Sequence, residues 1–254
     1  MAIKHTITLY DVRSTLSSPA WSPNVWKIRF ILNYKRLPYV THWLSYPDIA
    51  EVLSSVGAPP TRTTKPMYTV PAIRDEVEGS TPVVLSDSAT ILAYLEKTYP
   101  TPSIFPNNSR DAQMTHIAAI EECIYARMVF MVVPNTVRIL EGRDLEYYLA
   151  SRKEFLGVAL EDMFPVEKRQ AMWAELREGL DEISALVDNL KQGFGKRWMF
   201  SCAATPSYAD FVLGAMLVWF RRAGPEGGWD RIRGWNGGRW ERLLHDLQPY
   251  LQVS

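Results

Sequence analysis

Residues 5–35, HTITLYDVRSTLSSPAWSPNVWKIRFILNYK, place a strand pattern directly before a helix pattern. The first eight residues alternate in polarity and are rich in β-formers, which predicts a strand. From Pro23 onward, apolar residues such as Val25 and Ile28 recur at helical spacing. Serine is a favoured N-cap and proline suits the first helical position, so Ser22 and Pro23 mark the helix start. The stretch therefore predicts a β-loop-α unit.

Outward from this unit, the patterns continue in the order β-α-β-β-α. Residues 37–46 read as a strand, and a short helix starts the segment 47–66. Residues 68–88 read as two strands joined by a turn, and a helix covers 87–100. The stretch 99–111 is rich in Pro, Asn and Ser, which indicates a linker. After it, only helical patterns remain. The sequence thus predicts three parts: an α/β domain at 1–99, a linker at 100–109 and an all-α domain at 110–254.

Composition excludes several classes of function. The 254 residues carry 28 basic and 28 acidic side chains, and a net charge of zero gives no reason to expect a nucleic-acid partner. Two cysteines are too few for a disulfide framework and fit a reducing compartment. The four histidines show no metal-ligand spacing, so we expect no metal. No signal core or membrane-length apolar run is visible, which predicts a soluble, cytoplasmic protein that makes no membrane contact.

The Ser22-Pro23 helix start has two interpretations. In the first, Ser22 is only a helix cap, and taken alone this is the commoner situation. In the second, the partial positive charge and unpaired N–H groups of the helix end hold an anion, and the Ser22 hydroxyl donates to a thiolate.

Two further motifs also have alternatives. Within YTVPAI, Pro71 indicates either an edge strand or a cis Val70–Pro71 bond that leaves the Val70 main chain free to pair with an extended peptide. Within LSDSATI, Asp87 and Ser88 either cap a helix or hold an ammonium and a carboxylate. In this order within β-α-β-α-β-β-α, the three motifs suit a short peptide thiol with a zwitterionic end, and glutathione is such a molecule.

The chain resembles the cytosolic glutathione transferases over nearly its whole length, most closely the fungal-specific class A enzymes and more distantly bacterial β-aryl etherases. The motifs that carry the resemblance are TITLYD, SPNVWKIRFILNYK, TVPAI, LSDSATILAYLEKTYP and PSYADF. The resemblance implies a thioredoxin-like N-terminal domain and an all-α C-terminal domain. In PSYADF, Ser207 and Asp210 match a capping motif that acts in folding.

The resemblance also assigns roles to individual residues. Ser22 matches the catalytic serine, although Ser17 and Ser18 compete as thiolate donors. The glutathione-binding residues implied are Ser22, His42, Lys65, Val70, Pro71, Asp87 and Ser88. Two departures affect the assignment, since the loop 47–68 is long and FSCAAT (200–205) lacks the usual Gly-Asp.

The resemblance further implies a site for a hydrophobic second substrate, with an aromatic lining that would suit flat electrophiles or polyphenols. Its candidate residues are Trp21, Tyr46, Tyr125 and Met128, which plain core packing also explains. The implied activity is conjugation of glutathione to aromatic electrophiles by a homodimer. The alternatives are a carrier of hydrophobic aromatic compounds, such as wood-derived polyphenols, and a scaffold protein without activity.

Overall fold

The computed structural model describes residues 5–191, 198–201 and 203–254. The predicted loop at 193–206 lies partly outside these ranges, as does Cys202. The strands are β1 (His5–Val12), β2 (Tyr39–Leu44), β3 (Ala72–Val77) and β4 (Val83–Ser86). The helices are α1 (Pro23–Lys35), α2 (Ile49–Ser55), α3 (Ser88–Thr98), α4 (Arg110–Ile120), α5 (Ala126–Asn135), α6 (Gly142–Leu156), α7 (Leu160–Met163), α8 (Arg169–Lys191), α9 (Tyr208–Ala223), α10 (Gly228–Ile232) and α11 (Trp235–Asp246).

The four strands form one mixed sheet in the order β2-β1-β3-β4. β1 is parallel to β2 and antiparallel to β3, and β3 is antiparallel to β4. β3 is an inner strand that begins at Ala72, directly after Pro71, so the edge-strand interpretation of Pro71 is wrong. The Val70–Pro71 bond is cis, as the other interpretation predicts. The order of strands and helices confirms the predicted thioredoxin-like arrangement.

Helices α1 and α3 cover the same face of the sheet. The Arg29 guanidinium of α1 donates to Asp11 of β1 at 2.8 Å and to Thr41 of β2 at 2.9 Å. From α3, the Tyr94 hydroxyl donates to Asp75 of β3 at 2.9 Å. Arg29 and Asp11 are both almost completely buried, and either charge without the other would be costly there. This pairing fixes α1 against the sheet.

The chain forms two compact units. Unit 1 contains the residues up to Ser103 together with Ile139–Ser151 and Tyr250–Ser254, and unit 2 contains Ile104–Arg138 and Arg152–Pro249. The division after Ser103 lies inside the predicted linker. The return of two later segments to unit 1 was not foreseen, because a helical pattern does not reveal which core the helix joins.

The last residues of the chain run beside the edge strand β2. The Asn33 side chain donates to the carbonyls of Tyr250 and Gln252 at 2.7 and 2.9 Å. The Thr41 amide of β2 donates to the Ser254 oxygen at 2.9 Å. The tail thereby provides hydrogen-bond partners for a strand edge that would otherwise lack them.

Unit 2 is helical, with the almost fully buried α9 at its centre. At the start of α9, one Asp210 oxygen accepts from the amide and hydroxyl of Ser207 at 2.9 and 2.8 Å. The other oxygen accepts from the Met199 and Phe200 amides at 2.8 and 3.1 Å. The capping role predicted for Ser207 and Asp210 is confirmed.

A π-helical turn, Glu121–Tyr125, separates α4 from α5. The sequence predicts a helix over 111–140 with a break at Pro134, which in the structure lies at the end of α5. Helix α8 approaches the turn at Gly179, where an added Cβ would lie 2.1 Å from the Cys123 carbonyl oxygen. Only glycine permits this contact, so the π turn and Gly179 belong together.

Candidate active site

The segments that carry the three candidate motifs meet at one edge of the sheet, where the strand β1 ends. β1 ends there at Val12, and its loop leads to α1. Ala72 opens β3 opposite Tyr10 near the end of β1, and β3 runs away from this edge. Ser86 closes β4 opposite Ala72, so Asp87 follows at the same edge. Strand pairing therefore brings together the β1–α1 loop, the residues before β3 and the start of α3.

The start of α1 has hydrogen-bonding groups that the helix does not use. Ser22 is the N-cap, with φ −62° and ψ 125°, and its carbonyl accepts from the Trp26 amide at 2.9 Å. Its hydroxyl makes no capping hydrogen bond, although the residue is only 9% exposed. Pro23 has no N–H, and within the described ranges the amides of Asn24 and Val25 have no acceptor. One hydroxyl and two amides are thus left for a ligand.

The two tryptophans beside Ser22 differ in their hydrogen bonding. The Trp26 indole N–H donates to the Ala20 carbonyl at 3.2 Å, which ties the end of the loop to α1. Trp21 is 5% exposed, and its indole N–H has no partner in the described chain. Leaving a buried donor unsatisfied costs about 1–3 kcal/mol. A polar ligand atom would remove that cost.

Val70 presents a free main chain next to an inner strand. Within the part of the chain that the structure describes, neither its N–H nor its C=O makes a hydrogen bond. The side chain is half-buried and β3 begins two residues later. A residue of this kind can pair with an extended peptide as a neighbouring strand would.

The start of α3 combines a cap with an unused oxygen. Oδ1 of Asp87 accepts from the amides of Ala89 and Thr90, both at 3.0 Å. Asp87 Oδ2 and the Ser88 hydroxyl have no partner in the described ranges. Asp87 has φ 76° and ψ 128°, a region that side chains other than glycine rarely occupy and that concentrates at functional sites. Capping therefore accounts for only one of the two carboxylate oxygens of Asp87.

A buried carboxylate at the same edge was missed by the sequence analysis. Asp144 of α6, 5% exposed, accepts from the Tyr46 amide at 2.6 Å, from Nε of Arg13 at 3.2 Å and from the Ser45 hydroxyl at 3.3 Å. In the sequence it is one acidic residue near a helix start, which is ordinarily exposed. Only the fold shows that it connects α6 to the ends of β1 and β2.

Beside the β1–α1 loop lies a cavity of about 240 Å³. A space of this size accommodates several water molecules. Its lining residues all belong to unit 1: Arg13, Ser14, Thr15, Ile139, Leu140, Glu141 and Asp144.

The structure does not bring His42 together with Ser22. His42 is exposed on β2 opposite Tyr10, with the two ring centroids 5.3 Å apart. Asp11, next to Tyr10, faces α1, and strand residues alternate between faces. His42 therefore lies on the sheet face away from α1.

Lys65 lies in the long loop between α2 and β3 and is exposed. The Thr61 amide donates to the Met67 carbonyl at 2.8 Å, and the hydroxyls of Thr61 and Thr69 are 2.9 Å apart. These contacts join the two sides of the loop segment that contains Lys65. Its ammonium forms no ion pair within the described ranges.

The residues predicted for a hydrophobic-substrate site are divided between the units: Trp21 and Tyr46 belong to unit 1, Tyr125 and Met128 to unit 2. Met128 is fully buried, as core packing predicts, and Tyr46 packs against the Tyr147 and Tyr148 rings. Tyr125 keeps 38% of its surface exposed. Tyr125 therefore offers a ligand more surface than Met128 does.

Among the residues that the structure describes, no group of three His, Cys, Asp or Glu side chains lies together as a metal site would require. Over the same residues, no helix combines the length and apolar character needed to cross a membrane.

Comparison with known proteins finds two family domains along the chain. The sequence model of the glutathione S-transferase N-terminal domain matches residues 21–98, and that of the C-terminal domain matches residues 112–250. A glutathione S-transferase-like protein of Aspergillus flavus, ustS, is 32% identical over 96% of this chain and 90% of its own length.

Solved structures extend this similarity to the whole fold. A glutathione S-transferase of Ceriporiopsis subvermispora, solved in complex with glutathione, is 34% identical, covers 98% of both chains and has a TM-score of 0.86. Glutathione transferase GSTFuA3 of Phanerochaete chrysosporium is 30% identical over 100% of both chains, also with a TM-score of 0.86. The chain thus belongs to the glutathione S-transferase family and is an enzyme of the glutathione transferase type.

Proposed function

We propose that this enzyme binds glutathione at the edge of its sheet and that Ser22 activates the glutathione thiol. The observation that carries the proposal is the start of α1, where, among the described residues, a serine hydroxyl lacks a capping bond beside two amides without acceptors. A helix amino end with free N–H groups favours a bound anion. The Ser22 hydroxyl would donate its hydrogen bond to the thiolate sulfur and keep its own proton.

The energies are large enough to ionise the thiol. The helix end contributes about 1 kcal/mol in a partly buried site, and a hydrogen bond to a charged group contributes about 1.5 kcal/mol. Together they lower the thiol pKa by nearly 2 units at about 1.4 kcal/mol per unit. A thiol with a pKa of about 8.5 is then mostly ionised at neutral pH. Neither contribution alone is sufficient.

The rest of the tripeptide would use the neighbouring groups at the same edge. The cysteinyl main chain would pair with the free N–H and C=O of Val70, beside Pro71. The unused Oδ2 of Asp87 would accept from the γ-glutamyl ammonium. The Ser88 hydroxyl and the amino end of α3 would hold the γ-glutamyl carboxylate.

Lys65 and His42 stay predictions for the glycyl end. The ammonium of Lys65, exposed and without an ion pair in the described ranges, suits the glycyl carboxylate. His42 requires the glycyl end to reach the sheet face away from α1, so Lys65 is the better supported of the two.

The bound thiolate would attack a hydrophobic aromatic electrophile. With an aryl halide, the thiol proton leaves to solvent, a carbon–sulfur bond forms, and the halide departs with the electrons of its bond to carbon. The candidates for contact with this substrate stay Trp21, Tyr46, Tyr125 and Met128, of which Tyr125 is the most exposed. We also expect a cytoplasmic protein that forms a homodimer, and sedimentation of the purified protein tests the dimer.

The decisive experiment compares Ser22→Ala with Ser17→Ala. Ser17 is exposed in the same loop and does not begin a helix, so it provides a matched control. We expect Ser22→Ala to raise the pKa of the bound glutathione thiol by about one unit and to slow conjugation at neutral pH roughly fivefold. Ultraviolet titration of the thiolate and an aryl halide assay measure both effects.

The outcomes separate the functions considered. If Ser22→Ala leaves the thiol pKa unchanged, Ser22 does not activate the thiol. If the unmodified protein turns over no electrophile yet binds aromatic compounds, a carrier function replaces catalysis. Failure to bind glutathione at all indicates a scaffold.

A further inference from the structure

We infer that Asp144 is the positioning residue that holds the β1–α1 loop, and with it Ser22, in place. The inference rests on the proposed function, because it concerns how Ser22 is presented to the glutathione thiol. Asp144 belongs to α6, which lies far from Ser22 in the sequence.

Asp144 connects three segments of unit 1 through one buried carboxylate. The Tyr46 amide at 2.6 Å and the Ser45 hydroxyl at 3.3 Å belong to the segment that follows β2. Arg13 Nε at 3.2 Å belongs to the first residue of the β1–α1 loop. The Arg13 amide also donates to the Leu44 carbonyl at 3.1 Å, which fixes both strand ends beside Asp144.

The remaining contacts carry this anchoring along the loop. The Thr15 amide donates to the Ile139 carbonyl, just before α6, at 2.9 Å. The Ser14 hydroxyl donates to the Pro19 carbonyl at 2.9 Å and so closes the loop across five residues. The Trp26 indole then holds the Ala20 carbonyl. The loop is therefore anchored at its start by α6 and at its end by α1, with Ser22 two residues beyond the last contact.

The charge of Asp144 matters most for Arg13, which is the exposed member of the cluster. The Arg13 side chain is 55% exposed and lines the cavity beside the loop, so water competes for its guanidinium. An asparagine at position 144 keeps an oxygen for the Tyr46 amide but loses the charge that holds Arg13. A displacement of about 1 Å at a reacting group can cost roughly a hundredfold in rate, so even a small shift of the loop is measurable.

The test compares Asp144→Asn and Arg13→Gln with the control Asp48→Asn. Asp48 follows β2 and accepts from the guanidinium of Arg143, a residue of α6, at 2.7 and 3.1 Å. Within the described ranges it makes no hydrogen bond or ion pair with the β1–α1 loop. The readouts are the pKa of the bound glutathione thiol, kcat/KM from about pH 6 to about pH 9, and the thermal midpoint. Because Arg13→Gln changes an exposed side chain, it provides a second test of the same inference if Asp144→Asn does not fold.

We expect Asp144→Asn and Arg13→Gln to raise the thiol pKa by about half a unit to one unit and to lower kcat/KM up to about tenfold at the acidic end. The loss in kcat/KM should become smaller toward the alkaline end of the range, where the glutathione thiol ionises even when its pKa is not lowered. Asp48→Asn should leave the pH profile unchanged. A fall in thermal midpoint with an unchanged pH profile would overturn the inference. If Ser22→Ala itself leaves the thiol pKa unchanged, the proposed function falls and this inference with it, whereas an effect of Ser22→Ala alone overturns only the role of Asp144.

Discussion

Helices α1 and α9 of this enzyme both have a serine as their N-cap residue, and these two serines have opposite surroundings. At the start of α9, Ser207 and Asp210 satisfy each other, and Asp210 takes two further amides. At the start of α1, the Ser22 hydroxyl makes no capping bond. In the sequence, the pattern of a serine directly before a helix is the same for α1 and α9.

The difference separates a folding element from a binding element. A buried helix end with every donor paired has nothing left to offer a ligand. A helix end whose hydroxyl and first amides lack partners keeps its partial charge available for an anion. The comparison therefore predicts that changes at α9 alter stability, whereas changes at α1 alter thiol chemistry.

The largest effect is expected from Asp210→Ala. The substitution removes the acceptor of four hydrogen bonds and leaves buried donors unpaired, so we expect the free energy of unfolding to fall by about 4 kcal/mol. Urea denaturation measures it. The thiol pKa of glutathione bound to the folded fraction should not change. A loss below about 1 kcal/mol would mean that the α9 start does not act as a folding element.

The second prediction concerns the thiol of Cys123, one of the two cysteines of the chain. Burial, the hydrogen bond to the Glu182 carboxylate at 3.1 Å and its negative charge raise the pKa of this thiol to about 11. This environment is the reverse of that proposed for glutathione at α1. Because only the thiolate reacts, alkylation of Cys123 at pH 8 should be roughly a hundredfold slower than for an ordinary thiol.

Glu182→Gln tests the cause of this protection. Removing the charge should lower the pKa of the Cys123 thiol and speed its alkylation, as followed by mass spectrometry of the peptide that contains Cys123. If Cys123 is alkylated at the same rate in Glu182→Gln and in the unmodified protein, burial alone raises the pKa of this thiol.

Local patterns predict helix starts well, because capping chemistry is a property of adjacent residues. Ser22, Asp87 and Ser207 were all placed correctly at helix starts. What the sequence could not tell is which caps are complete, since that depends on partners brought by the fold. For Asp210, two of these are the Met199 and Phe200 amides.

Non-local contacts explain the parts that sequence reasoning missed. The role of Asp144 depends on the ends of β1 and β2, about a hundred residues earlier in the chain. The assignment of His42 to the glycyl end stays a prediction, and strand alternation places this residue on the sheet face away from α1. The π turn at Glu121–Tyr125 has no local sequence signal, and its partner Gly179 lies on another helix.

A third prediction compares Ser22→Ala directly with Ser207→Ala. Ser207→Ala should lower the free energy of unfolding by about 1.5 kcal/mol, as for other N-cap serines. Ser22→Ala removes no capping bond, so it should stay within about 0.5 kcal/mol of the unmodified protein. Urea denaturation of both variants under identical conditions measures the contrast. Equal losses would show that Ser22 caps α1 in solution, and the distinction between the two helix starts would disappear.

The smallest effect is expected at α3, whose start combines both types. Asp87→Asn keeps an oxygen for the Ala89 and Thr90 amides but removes the charge of the unused oxygen. The free energy of unfolding should be unchanged, since asparagine also tolerates positive φ. Loss of a charge-assisted bond of about 1 kcal/mol should weaken glutathione binding roughly fivefold.

Glutathione without its γ-glutamyl amino group provides the matched control for Asp87→Asn. Calorimetry should show that the unmodified protein binds this analogue more weakly than glutathione, whereas Asp87→Asn binds both about equally, because its partner for the ammonium is already gone. If the analogue loses the same factor in both proteins, Asp87 does not contact the ammonium. The start of α3 would then belong with the start of α9, as a cap that serves only the fold, and the γ-glutamyl end would require another partner.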